Sequence, residues 1–293
     1  MILIGENMNV MNKRIRQAMK ERNKEVVQEI AIREKESGVD YLDINIGPAR
    51  KQGGELMRWM VETIQEVVDL PLSLDTTNVE AMEEGLKAHR GANPIINSIS
   101  ARPERMGALL PLVKKYDASF IALLLGVEGI PRDEAERGAL AAEMLARFDE
   151  EGISHDKVYF DPIILPISSQ QNQVQGCTRF MEIFPELAPD CNSTGGLSNV
   201  SNGTPDELRP ILNRTYLLIL MNLGLSSVIL DAFDEEIIKI AKGERKDLQE
   251  LVKKVMDGEE PPSESLTQEQ RDYLKTAKVL LGHSLYSHSW LKL

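Results

Sequence analysis

The feature that most constrains this chain is an alternation. Short apolar runs recur between longer amphipathic stretches, and most of them stop on Asp or Asn. The runs Met1–Gly5, Tyr41–Asn45, Leu72–Asp75, Pro94–Ser98, Ser119–Leu125, Val158–Ile163, Ser193–Leu197 and Ser227–Leu230 read as strands. Between them, Asn12–Gly38, Glu55–Val68, Asn78–Ala88, Arg102–Lys115, Asp133–Glu151, Cys177–Leu187 and Pro205–Leu223 read as helices. The seventh strand is Gly-rich and weak. Strict strand–helix alternation predicts an α/β protein, a (β/α)8 TIM barrel, and the 293 residues accommodate the ~250 typical of that fold. A doubly wound open sheet is the competing architecture. It usually carries G-x-G-x-x-G after its first strand, where this chain has Gly5-Glu6-Asn7-Met8-Asn9.

The C-terminal part leaves this rhythm. Lys239–Asp257 is highly charged, Gly258–Ser265 is rich in breakers, and Thr267, ahead of Glu269 and Gln270, predicts an N-cap for a helix through Leu281. We read residues 1–293 as a single barrel domain with an inserted charged linker and helix at about 243–273. That insert is either a solvated excursion before a packing helix or a surface for a partner. A net charge of −12 without a Lys/Arg block argues against nucleic-acid binding. The N-terminus lacks the basic region and cleavage site of a signal peptide, and no apolar stretch approaches the ~20 residues of a membrane span. Cys177 and Cys191 form no C-x-x-C pair and do not cluster with His89, His155, His283 or His288, so a reduced, cytoplasmic setting without structural zinc is expected.

Chemistry in such barrels sits at the carboxyl ends of the strands. Those ends here read Asp43-Ile44-Asn45, Asp75-Thr76-Thr77, Asn97-Ser98, Asp161-Pro162 and Gly196-Leu197-Ser198-Asn199, with Asn202 close behind. Singly, each has a plain structural use: Asp75 as a helix cap, Asn97 as a loop tie, Asp161-Pro162 as a turn opening, Asn199 as turn chemistry. Together they predict one small-molecule site. Carboxylates accept hydrogen bonds and amides do both, which matches a ring bearing amino, N–H and carbonyl groups. No strand end offers Lys or Arg for a phosphate, and none offers a His for nucleophilic catalysis. Asp43, Asp75 and Asp161 could hold a hard cation, but the intervening Asn residues suit a heterocycle better, so no metal is expected.

At these residues the chain resembles the methyltetrahydrofolate–corrinoid protein methyltransferases, pterin-binding barrels related to the folate domain of cobalamin-dependent methionine synthase and, more distantly, to dihydropteroate synthase. The similar segments run in order: Ile4–Asn9, Leu42–Ala49, Leu74–Asn78, Ile96–Ser98, Asp161–Pro166, Gly196–Ser201 and Leu212–Thr215. The resemblance implies a cytoplasmic transferase of one-carbon metabolism, usually dimeric, that binds the pterin of tetrahydrofolate at the barrel mouth. It implies Asp75, Asn97 and Asp161 as pterin contacts and Asn199 as the catalytic residue near N5. Asp43, Asn45, Gly196, Ser198 and Asn202 are further candidates for lining the site. The substrate would be tetrahydrofolate or 5-methyltetrahydrofolate. The corrinoid (cobalamin) would come on a separate corrinoid protein, because no Asp-x-His-x-x-Gly motif surrounds any of the histidines.

The family often has Glu-Arg-Ile-Asn in its first loop, where this chain has Glu6-Asn7-Met8-Asn9, and the 243–273 stretch looks inserted relative to its shorter members. That insert tilts the reading toward methylcorrinoid:tetrahydrofolate transfer in the catabolism of methylated compounds. The alternatives are a dihydropteroate-synthase-like condensing enzyme and a non-catalytic folate-binding module. The first is disfavoured because no basic residue occurs in 195–202 or 229–232 to hold a pyrophosphate.

Overall fold

The computed structural model describes residues 1–49 and 51–292. Parallel strands β1 (Ile2–Gly5), β2 (Tyr41–Asn45), β3 (Leu72–Asp75), β4 (Ile95–Ser100), β5 (Ser119–Leu123), β6 (Val158–Asp161), β7 (Asn192–Ser193) and β8 (Ser227–Leu230) pair in the order β7-β6-β5-β4-β3-β2-β1-β8. Between them run α1 (Lys13–Glu21), α2 (Lys24–Ser37), α3 (Gly53–Gln65), α4 (Val79–Ala88), α5 (Pro103–Tyr116), α6 (Glu134–Glu150), α7 (Ile167–Leu187) and α8 (Arg209–Asn222). After β8 follow α9 (Glu235–Ala241), α10 (Lys246–Met256) and α11 (Gln268–Leu280). The predicted barrel is the fold.

The barrel closes between β7 and β8 with little ladder. A parallel bridge joins Gly196 to Ile229, whose N–H donates to the Gly195 carbonyl at 3.1 Å. Side chains complete the seam: the Ser226 hydroxyl accepts from Ser193 N at 2.7 Å, and the Ser227 hydroxyl donates to the Ser193 carbonyl at 2.9 Å. β7 is short because Gly195-Gly196 offers no side chains to pack.

Two apolar regions flank the sheet. Inside the barrel, Ile4, Ile95, Ile121, Tyr159 and Ile229 form a separate plug with Ile2 and Tyr41. Outside, alternate residues of the same strands meet the helices, as period-2 alternation requires. There Phe148 of α6 packs edge-on against Phe120 of β5 at 5.1 Å and lies 6.3 Å from Phe160 of β6.

The structure corrects several element boundaries. Asn12–Gly38 is two helices: Arg22 turns left-handed at φ 55°, and Asn23 then caps α2 by accepting from Val26 N at 3.1 Å. α7 begins at Ile167 rather than Cys177, with a kink at Gln170 (φ −144°, ψ 49°), since its polar first turns hide the apolar period yet are used. Gln171 donates to the carbonyls of Val279 and Ser284 and accepts from Tyr286 N, stitching the tail to α7. Pro205–Leu223 is a 3-10 turn, Asp206–Leu208, followed by α8. Thr267 caps α11 as predicted, and Gln270 closes a capping box with it. α10 lies within the 243–273 segment, and α11 packs on α7, α8 and α10.

Phe148→Ala should destabilise the fold by roughly 3–5 kcal/mol, the usual cost of emptying an aromatic site in a core. Urea unfolding checks it: the midpoint should fall with an unchanged slope.

Candidate functional site

Strand parity decides which polar residues reach the mouth. Ile4 and Tyr41 stand side by side in the inner plug, so residues two further along each strand also face inward. On β2 these are Asp43 and Asn45. The register pairs Asp43 with Ser73 and Asn45 with Asp75, and β4 then sets Asn97 beside Asp75. Asn45, Asp75 and Asn97 thus form one inner row across three adjacent strands. On β6, Asp161 follows the inward Tyr159 by two residues and joins the same face from the far side.

Hydrogen bonds fix this layer. Asp43 is buried, and its Oδ1 accepts from the Ser73 hydroxyl at 2.6 Å and from Asn97 Nδ2 at 2.9 Å. Asn45 Nδ2 donates to Asp75 Oδ2, while Asn45 Oδ1 accepts from Gly47 N at 2.9 Å. Asp161 Oδ1 accepts from Ile163 N at 2.7 Å. That clamp, with Arg137 Nε donating to the Pro162 carbonyl at 2.9 Å, holds Ile163 at a strained φ of 65°. The second oxygens of Asp75 and Asp161 make no hydrogen bond among the described residues. They remain acceptors for ring N–H groups.

Asn199 is the exposed residue of the otherwise largely buried 3-10 turn Leu197–Ser201 that leaves the β7–β8 seam. A Cβ on Gly196 would lie 3.0 Å from Asn199 Nδ2, so the glycine leaves room for that amide. Asn202 Nδ2 donates to Asn199 Oδ1 at 3.2 Å and Asn202 Oδ1 accepts from Arg209 at 3.4 Å. The Ser198 hydroxyl donates to Glu6. The turn is therefore tied to the mouth through Glu6. A cavity of about 590 Å³ opens between the loops after β4 and β5, lined by Ala101, Pro103, Val127, Ile130 and Arg132, and none of the strand-end acids or amides lines it.

Sequence reasoning missed Ser73, Glu6 and Asp231. The strand-end rule, applied to β1 and β8, reaches Glu6 and Asp231 directly. Ser73 was hidden inside an apolar run. Asp75 does not cap a helix; Asn78 caps α4. The acids here resist ionisation. Burial pushes Asp43 and Asp161 up to about 6, opposed for Asp43 by Ser73 and Asn97 and for Asp161 by the Ile163 N–H. Burial, and then the Asp43 charge, also raise Asp75. Glu34 of α2 reaches about 8 through burial first; its Oε1 accepts from Asn7 N at 2.9 Å, and its Oε2 has no partner among the described residues. Gly5 makes that approach possible, because a Cβ there would lie 2.6 Å from Glu34 Oε1. Among the described residues no three His, Cys, Asp or Glu side chains group as a metal site, and no helix is long and apolar enough to cross a membrane.

The model of a family described as pterin binding enzyme matches residues 5–231. The methylcorrinoid:tetrahydrofolate methyltransferase of Eubacterium limosum is 27% identical over 233 residues, covering 79% of this chain and 85% of that protein. The methionine synthase of Mycobacterium tuberculosis is 26% identical over 242 residues, covering 79% of this chain but only 20% of that much longer protein. Among solved structures, the dihydropteroate synthase of Xanthomonas albilineans with 4-aminobenzoic acid superposes with a TM-score of 0.63 at 19% identity, covering 85% of this chain and 93% of that one. At that identity the likeness speaks for the fold.

The raised acids set a pH dependence. The unfolded chain loses these protons near the ordinary values of 3.8 and 4.5, whereas the folded protein keeps them up to about 6 for Asp43 and Asp161 and about 8 for Glu34. Between those limits the native state binds more protons, so stability falls as pH rises. Urea midpoints should be higher at pH 5 than at pH 8, and Glu34→Gln should flatten the decline between pH 6 and 8.

Proposed function

The chain belongs to the pterin-binding enzyme family, and from that premise we propose that it is a transferase moving a methyl group between N5 of tetrahydrofolate and the cobalt of a corrinoid carried by a separate protein. The observation that carries this reading is the inward row Asn45–Asp75–Asn97 facing Asp161, with Asn199 on the turn beside it. The relatives' names support it, as does the segment-by-segment resemblance. Asp75 and Asp161 accept ring N–H groups, Asn97 meets the ring's amide edge, and Asp43 with Ser73 keeps Asn97 in place. Asn45 fixes Asp75, while Gly196, Ser198 and Asn202 shape the turn. The protein works in the cytoplasm as a homodimer. Flux runs from methylcorrinoid to tetrahydrofolate, in the catabolism of methylated compounds.

A neutral amine is a poor leaving group, so catalysis rests on placing N5 opposite the cobalt and on polar contact at N5. Asn199 supplies that contact, and its Nδ2 hydrogens make no hydrogen bond among the described residues. A dihydropteroate-synthase-like condensation has the shared fold in its favour, and incubation with p-aminobenzoate and the pterin pyrophosphate tests it directly.

Mixing the protein with free cob(I)alamin and 5-methyltetrahydrofolate, and separately with methylcobalamin and tetrahydrofolate, tests the proposal. The cobalt spectrum should report methylcobalamin gained in one direction and lost in the other. No spectral change in either direction would sink it. Asn199→Ala should slow transfer on the order of 100-fold, the usual cost of removing one transition-state donor, with a much smaller change in folate affinity. Equal losses would reduce Asn199 to a binding residue. Deleting Gly258–Ser265 should lower turnover with the corrinoid protein while sparing folate binding; unchanged turnover would refute docking there.

A further inference from the structure

Glu6 occupies a position that the pterin contacts leave unused. It follows Ile2 and Ile4 on the inward face of β1, and its N–H donates to the Leu230 carbonyl at 2.9 Å, which anchors it where β1 meets β8. Its Oε1 accepts from the Ser198 hydroxyl, on the residue before Asn199. Its Oε2 makes no hydrogen bond among the described residues, in a side chain only part-exposed at the mouth. One carboxyl oxygen is held by the Asn199 turn, and the other is left without a partner among the described residues at the barrel mouth.

The surroundings favour the neutral acid. Asp43 faces Glu6 from β2, Asp231 follows β8, and Glu34 stands behind on α2. Arg209 of α8, whose charge acts on it, is engaged with the Ser201 hydroxyl at 3.1 Å and with Asn202. Asn7 donates to Asp231 Oδ1 at 2.6 Å and so ties that acid without neutralising it. Burial first, then Asp231 and Asp43, lift the Glu6 carboxyl to about 7, against the opposing pull of Ser198 and Arg209. A group titrating there gives and takes protons at neutral pH.

Resting on the folate–corrinoid reading, we propose that Glu6 is the proton donor and acceptor for N5, working beside Asn199 from the Ser198-held carboxyl. When the methyl leaves folate, the N5–CH3 bond breaks and its electron pair stays on nitrogen. The cobalt(I) electron pair forms the Co–CH3 bond, formally oxidising cobalt to cobalt(III). The Glu6 proton passes to N5, directly or through one water, and leaves a carboxylate that the Ser198 hydroxyl stabilises. In reverse, the carboxylate takes the N5 proton as N5 attacks the methyl, and the Co–C pair returns to cobalt(I). Asp75 and Asp161 hold the ring while Glu6 cycles.

Single-turnover transfer between 5-methyltetrahydrofolate and cob(I)alamin, measured from pH 5 to 9 under saturation, tests the assignment. The wild type should lose rate on a single alkaline limb near pH 7. Glu6→Gln keeps an acceptor for Ser198, so folate affinity should stay within about threefold, while transfer drops on the order of 100-fold or more and the limb disappears. Glu6→Asp should recover part of the rate. Glu6→Gln transferring within about threefold of the wild type, with its limb intact, overturns the proposal and leaves the folate–corrinoid reading standing. A wild type that exchanges no methyl overturns that reading and the proposal with it. Should Glu6→Gln fail to fold, Asp231→Asn decides. Removing that charge should move the wild-type limb to lower pH, and a limb that stays in place overturns the assignment.

Discussion

A closed parallel barrel gives the polar groups at its strand ends few places to go. The inner plug of Ile4, Ile95, Ile121, Tyr159 and Ile229 keeps water out from below, so each inward polar side chain above it must find its partner on a neighbouring strand. Asp43 is where this constraint bites hardest. It is 3% exposed, and it draws a hydroxyl from β3 and an amide from β4 onto one oxygen. Asn97, and through the shared inner row Asn45 and Asp75, inherit their orientation from that arrangement.

The same crowding gives the site its chemical character. Several buried carboxyls share one small volume, and burial with mutual repulsion keeps part of them protonated near neutrality. A fold built only for stability would avoid this, since each such acid weakens the native state as pH rises. Its retention fits a site that must offer acceptors to ring N–H groups and also hold a proton to give away.

Much of this was legible in the sequence because two periods are superimposed on it. The apolar runs marked the strands, and the Asp and Asn residues ending them marked the mouth. Asp43, Asn45, Asp75, Asn97 and Asp161 all fall on the inward face. What escaped was polarity with a partner that the sequence does not reveal. Ser73 reads as a flaw in an apolar strand until Asp43 is placed beside it. Gln171 and Gln173 read as loop until one binds the tail and the other accepts from Arg137 at 2.8 Å. The break at Arg22 escaped because an arginine in the left-handed region has no sequence signature, unlike a glycine.

The β7–β8 seam has a thermodynamic consequence. Elsewhere neighbouring strands share two to four registered residue pairs, but here a single bridge and a few serine hydroxyls do the joining. The turn that bears Asn199 departs from this joint, so separating the two strands and swinging the turn outward draw on the same modest free energy. A bulky guest that pries the wall apart would find its hinge already installed, and one that fills the mouth would stiffen the whole cylinder by pinning its least secured stave.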